Sequence, residues 1–148
     1  MDGDLKIKIL DFDGNQLYQD KKHTLVNYLD SSLEHVIDLE TLQIPTNDVV
    51  VVSTFRDATS ISYLVKPKDL KLKQAPIQRS ITKVAEGYKI ELLSTTLQKD
   101  VFLYCNEKGH FNDNFFDMLP NETKTIIFKT EAKDMEQLNI KTFNNFIR

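Results

Sequence analysis

Phe111-Asn112-Asp113-Asn114-Phe115-Phe116-Asp117-Met118-Leu119-Pro120 decides how this chain is read, because it sets three phenylalanines and two aliphatic residues among four short polar ones. The apolar side chains favour burial, whereas Asn112, Asp113, Asn114 and Asp117 are residue types that turn a backbone by bonding its nearby amides. Strand-like runs flank the stretch, Asp100 to Asn106 before it and Thr123 to Thr130 after the Pro120-Asn121-Glu122 turn. The stretch is therefore a corner between strands. Asp113 and Asp117 have two readings: a local pair of catalytic carboxylates among aromatics that stack on a sugar, or caps for backbone amides while the phenylalanines fill the core. The second requires only the fold, and it is the expectation.

Working outward, the same strand grammar recurs. Leu5, Ile7 and Ile9 alternate with Lys6 and Lys8, the period of a strand with one wet face. Asp11-Phe12-Asp13-Gly14-Asn15 then predicts a hairpin turn into Gln16 to Leu25, since glycine accepts the positive φ of tight turns. Asp11, Asp13 and Asn15 also offer three oxygen ligands, but the glycine and glutamate positions of an EF-hand loop are missing. Leu33 to Leu39 is expected as a strand, followed by one helical turn over Leu39 to Leu42. Four consecutive valines open Val49 to Phe55 and predict a central strand buried on both faces. Arg56 to Thr59 turns the chain into a strand over Ser60 to Val65.

Lys66-Pro67-Lys68-Asp69-Leu70-Lys71-Leu72-Lys73-Gln74-Ala75-Pro76 reads as a solvated linker or a lysine-guarded edge, and the domain boundary is placed there. Beyond it come Ile77 to Val84, a turn at Glu86-Gly87, and Tyr88 to Thr95, with Tyr88, Ile90 and Leu92 on one face. Leu138 to Phe143 closes the chain, and Ala132 to Gln137 is left as a helical turn or a loop. Short strands separated by polar turns, with no long amphipathic helix, predict an all-β fold of two tandem immunoglobulin-like β-sandwiches, residues 1–70 and 71–148. The first shows five strand runs where such a domain takes about seven. It is expected to be truncated at its N-terminus, with unpaired edges near Leu5 to Phe12 and Val49 to Phe55 that favour self-association.

Composition bounds the chemistry. The chain has 148 residues, 41% of them hydrophobic, enough for a packed core, and a net charge of -3 that supplies no basic footprint for nucleic acid. No apolar run approaches the ~20 residues that span a bilayer. Cys105 is the single cysteine, which excludes an internal disulfide and a cysteine-based zinc cluster, and its alternating context predicts an inert, buried thiol. His23, His35 and His110 show no metal or relay spacing. No cofactor is expected. Met1 to Leu5 lacks the pattern of a signal peptide, which in a fragment carries no information about compartment. Asn121-Glu122-Thr123 is a formal glycosylation sequon, relevant only in a secreted eukaryotic setting.

The corner from Phe111 to Glu122 resembles the C-terminal immunoglobulin-like domain of family 2 glycoside hydrolases, the β-mannosidase branch in particular. There an aromatic-polar-Asp-Asn-aromatic-aromatic-Asp-Leu-Leu-Pro-Gly-Glu corner recurs; here Met118 stands for a leucine and Asn121 for the glycine. The Asp11-Phe12-Asp13-Gly14 turn and the Leu64-Val65-Lys66-Pro67-Lys68-Asp69-Leu70 exit also resemble the family's first-unit landmarks. The resemblance implies that Phe111, Asp113, Asn114, Phe115, Phe116, Asp117, Leu119 and Pro120 form a structural corner.

It further implies that catalysis lies elsewhere. Such enzymes use two glutamates about 5 to 5.5 Å apart in a TIM barrel of ~250 residues, too large for this chain. The chain is then a non-catalytic C-terminal fragment that packs against the barrel and other domains of its parent. The parent would remove terminal β-D-mannose from non-reducing ends, in a periplasmic, secreted or lysosomal setting that the fragment does not decide. Two alternatives stand beside this: a carbohydrate-binding or adhesion module, weakened by the lack of tryptophan, and the same domains from a β-galactosidase or exo-glucosaminidase.

Overall fold

The computed structural model describes residues 1–147, and the chain divides into two compact units, Met1–Lys71 and Leu72–Arg148.

The first unit is one antiparallel sheet. Its strands are β1 (Asp2–Asp11), β2 (Gln16–Leu25), β3 (Val49–Phe55) and β4 (Ala58–Ser62), in the spatial order β2-β1-β3-β4. The β1–β2 hairpin closes as its sequence predicts. Gly14 takes φ +91°, and the Asp11 carboxylate accepts the N–H groups of Asp13 at 3.0 Å and Asn15 at 2.8 Å. Asn15 Nδ2 donates to the other Asp11 oxygen at 2.8 Å. Both oxygens of Asp11, one of the three side chains that suggested a calcium loop, are thus turned on the hairpin itself.

Val49, Val50 and Val52 are buried and β3 lies inside the sheet, as two-faced apolar composition requires. A two-residue loop, Arg56-Asp57, with Arg56 at φ +53°, starts β4 at Ala58, and β4 stops at Ser62 rather than Val65. The expected open edges are also corrected. β1 pairs with both β2 and β3, and β3 with both β1 and β4, so the edges are β2 and β4.

The strand expected over Leu33 to Leu39 does not form. Leu33 and Val36 point into solvent, at 83% and 73% exposure, while Ile37 and Leu39 pack on the Ile9–Ile44–Val49 core. Side chains hold this segment instead of a backbone ladder. Glu34 accepts the Thr24 hydroxyl at 2.5 Å and the Ser32 hydroxyl, and His35 Nε2 lies 2.9 Å from the Tyr18 hydroxyl.

The helical turn after it is present and fully capped. Asp38 accepts the N–H groups of Glu40 and Thr41 at its start. At its end Gln43 N–H donates to Glu40 O, and Ile44 N–H to Leu39 O, both at 3.0 Å, with Gln43 at φ +53°: a Schellman motif.

The linker is less solvated than its lysines suggested. Pro67–Asp69 forms a 3-10 turn, after which Leu70 and Leu72 are buried and Lys71 N–H donates to Asn47 O at 2.8 Å. The alternation of leucine and lysine sorts side chains between core and water without building an edge strand.

The second unit is a sandwich of two antiparallel sheets. One holds β5 (Gln78–Val84), β6 (Gly87–Leu93), β10 (Lys124–Lys129) and β8 (His110–Phe111), in that order; the other holds β11 (Asn139–Lys141), β7 (Gln98–Tyr104) and β9 (Phe116–Met118). This four-plus-three division is the strand count of an immunoglobulin-like domain. Its core takes alternate residues from both sheets: Tyr88, Ile90 and Leu92 of β6, Ile126 and Phe128 of β10, Val101 and Leu103 of β7, Phe116 and Met118 of β9. The turn expected at Glu86-Gly87 falls one residue earlier, and Gly87 begins β6. A Cβ there would sit 2.1 Å from the Phe128 carbonyl oxygen, so only glycine lets β6 and β10 meet. Residues 132–137 form a loop, and the closing strand is confined to Asn139–Lys141 before a 3-10 turn over Phe143–Phe146.

Candidate corner site and exposed aromatic stack

The corner passes the chain from one sheet of the second unit to the other within a few residues. Asn112 finishes the first sheet: its N–H donates to Ile127 O at 2.9 Å, and its Oδ1 accepts Ile127 N–H at 2.8 Å. Asn114 opens the second sheet. Its Oδ1 accepts Leu103 N–H and its Nδ2 donates to Leu103 O, both at 2.8 Å. Each asparagine side chain supplies what a neighbouring strand's backbone would, which is why short amides suit this position. Between them Asp113 pairs with Lys124 at 2.6 Å, and the same ammonium lies 4.8 Å from the centre of the Phe116 ring.

Asp117 holds a bulge. Between the Gln98–Met118 and Val101–Phe116 pairs, β7 carries an extra residue, and Asp100 adopts φ +51°. Asp100 N–H donates to Asp117 Oδ1 at 2.8 Å, and Lys99 N–H donates to Asn144 Oδ1 at 2.9 Å. Asn144 is itself buried and donates to the carbonyls of Lys73 and Leu97. Leu119 and Pro120 close the corner as buried residues, and Asn121 turns the chain at φ +60°, its N–H on Ser94 O at 2.8 Å. Asparagine in the glycine place thus takes the left-handed conformation that it tolerates better than most residues.

Two parts of the corner differ from the sequence reading. Asp113 forms an ion pair where an amide cap was expected, and the phenylalanines do not all fill the core. Phe116 is buried and Phe111 is half-buried against Phe128, with ring centres 4.6 Å apart. Phe115 is 69% exposed at φ +56°, a conformation that is an outlier for a bulky side chain. Its ring stacks on Phe102 at 4.5 Å, Phe102 stacks on Tyr104 at 5.6 Å, and Lys141 Nζ lies 5.5 Å from the Tyr104 ring centre. The result is a row of rings on the outer face of the β11-β7-β9 sheet, capped by a cation at one end and open at Phe115.

Sequence reading missed this stack because the alternation of β7 marks Phe102 and Tyr104 only as outward-facing. Phe115 joins them through a backbone conformation that its residue type disfavours. A second missed cluster lies in the first unit, where His35 sits between the Tyr18 hydroxyl and, 3.5 Å from its Nδ1, the Asp20 carboxylate. Tyr18 and His35 lie 17 positions apart in the chain, and no spacing rule joins them. His23 bonds Asp4 at 3.1 Å, and His110 lies in β8.

At the corner the polar side chains of Asn112, Asn114 and Asp117 hold backbone, each bonding a main-chain group of a neighbouring strand. Cys105 is half-buried against the core, and desolvation pushes its thiol above the ordinary range, which disfavours the nucleophilic thiolate. Among the described residues no group of three or more His, Cys, Asp or Glu side chains converges to hold a metal.

Residues 72–146 match the family of mannosidase Ig-fold domains. The fold of the chain is similar to that of a β-D-mannosidase from Dictyoglomus thermophilum, with a TM-score of 0.68 at 18% sequence identity. The superposition covers 97% of this chain and 19% of that one, so the chain spans about a fifth of the enzyme's length. No curated protein matches the chain. With half its residues matched and a four-plus-three sandwich built on them, the chain belongs to the Ig-fold domain family of mannosidases.

Proposed function

We propose that this chain is the non-catalytic C-terminal region of a β-mannosidase, and that its role is to pack against and support the catalytic barrel of the longer enzyme. The parent would hydrolyse terminal non-reducing β-D-mannose by a retaining mechanism with two barrel glutamates. Phe111, Asp113, Asn114, Phe115, Phe116, Asp117, Leu119 and Pro120 serve as its structural corner, and residues 1–70 and 71–148 as successive domains.

The observation that carries the reading is the division of labour at the corner. Its amide and carboxylate groups are spent on strand rungs, a bulge and an ion pair, while Phe115 is held outward in a disfavoured conformation. Strain of this kind, worth about 1–3 kcal/mol, persists where the surrounding structure over-determines it, and such residues cluster at sites that are used. A displayed aromatic stack beside polar neighbours suits a protein surface in the parent.

The same stack supports a second reading, that of a carbohydrate-binding module, since an open ring face also stacks on a sugar. An amide NMR titration with mannose and a β-linked mannose disaccharide separates the two. Unshifted peaks, together with a raised unfolding midpoint of the parent's catalytic portion when the chain is added and not when Phe115→Ser is added, are the expected result. Localised shifts at Phe102, Tyr104 and Phe115 would replace the support role with sugar binding.

A further inference from the structure

Edge strands expose unpaired backbone groups, and proteins usually guard them with charge, proline, a bulge or short length. Here β2 carries Asp20, Lys21 and Lys22, β5 carries Arg79 and Lys83, β11 carries Lys141 and β9 carries Asp117. The β8 edge is two residues long. Among the described residues, β4 is the edge strand of more than two residues with no charged side chain: Ala58-Thr59-Ser60-Ile61-Ser62. It contains no proline, pairs with β3 in unbroken register from Phe55–Ala58 to Val51–Ser62, and is exposed at every position except the half-buried Ile61.

We infer that β4 is a self-pairing edge, through which two copies of this chain join antiparallel about a two-fold axis at Ser60. The sequence is complementary to itself in that arrangement. Ser60 faces Ser60 of the second copy, Thr59 faces Ile61, and Ala58 faces Ser62, so every facing pair is small or β-branched and no like charges meet. The same operation would extend each four-stranded sheet into one of eight strands across the pair. Five residues from each copy bury well under the ~1,200 Å² of a stable complex, so the association is weak and concentration-dependent. This inference is independent of the proposed parent enzyme.

Disulfide trapping tests it in a Cys105→Ala background. In the paired strands Ser60→Cys faces itself across about 4.5–5.5 Å, within the Cα separation a disulfide spans, whereas two Ala58→Cys residues lie about 14 Å apart. The expected result is covalent dimer at least about tenfold faster for Ser60→Cys than for Ala58→Cys. Sedimentation should also show an average mass that rises with concentration for the unmodified chain and much less for Ser60→Lys. Equal trapping rates, or a monomeric mass at every concentration, would overturn the inference. Equal rates with a rising mass would move the contact to another surface and equally reject β4.

Discussion

The Asn114 carboxamide occupies the place of a strand residue opposite Leu103, accepting its N–H and donating to its carbonyl at 2.8 Å each. One side chain thereby satisfies a strand that the main chain of the corner does not reach, and in the same step it orients Phe115, whose N–H bonds Asn114 Oδ1 at 3.0 Å. Packing of the second sheet and display of the aromatic stack depend on one residue.

Replacing Asn114 with alanine should therefore cost about 2–4 kcal/mol, because it strips two partly buried backbone groups of their partner. Urea unfolding of the second unit would measure the loss. Asn114→Asp should recover only part of it, since a carboxylate accepts from Leu103 N–H but cannot donate to the carbonyl. Faster amide exchange at Leu103 in both variants would tie the loss to this contact.

Gly87→Ala should be more damaging than an exposed strand substitution ordinarily is. The added Cβ would overlap the Phe128 carbonyl at 2.1 Å, on a backbone at φ +145°. A loss of more than about 2 kcal/mol is expected, with chemical-shift changes concentrated along β6 and β10. A neutral result would mean that these strands separate more easily than their register implies.

Gln43→Gly should stabilise the first unit by roughly 0.5–1 kcal/mol. Gln43 holds the left-handed position of a Schellman motif, where glycine avoids the Cβ penalty. The gain is bounded by the extra freedom glycine brings to the unfolded chain. A raised denaturation midpoint, with Ile44 still protected from exchange, would confirm that the cap is intact.

Acid should loosen the segment between β2 and β3 through Glu34. Hydrogen bonds from the Ser32 and Thr24 hydroxyls, then the Lys22 ammonium, lower its carboxyl from 4.5 to about 2. The folded value lies below the unfolded one, so the stabilisation is fully present above pH 4.5 and is lost as the pH falls toward 2. NMR titration of the Glu34 carboxyl should give a midpoint far below an ordinary glutamate. Thr24→Val should move that midpoint upward, by removing one of the bonds.

Much of this architecture is legible in the residues. The Asp-Phe-Asp-Gly hairpin, the four-valine strand and the Tyr88–Ile90–Leu92 face follow from local rules of turn conformation and two-residue alternation, and the structure carries all three. The stretch from Leu33 to Leu39 shows where those rules stop. Its apolar residues resemble a strand, yet it pairs with no strand, and Glu34, His35, Ile37 and Leu39 fasten it by side chains to neighbours formed elsewhere. Alternation reports which residues favour burial; it does not supply a hydrogen-bonding neighbour.

At the corner the sequence by itself determined the turn and the burial of the aliphatic Met118 and Leu119, which follow from the turn chemistry of short polar residues and the transfer energy of apolar ones, and the resemblance implied a turn preserved at Asn121. Tertiary structure alone decided that Phe115 stands in solvent, that Asp113 meets Lys124, and that β4 rather than β1 or β3 is an open edge. Those outcomes depend on which segment arrives opposite, and a partner's arrival is a property of the closed sheets rather than of the residues that await it.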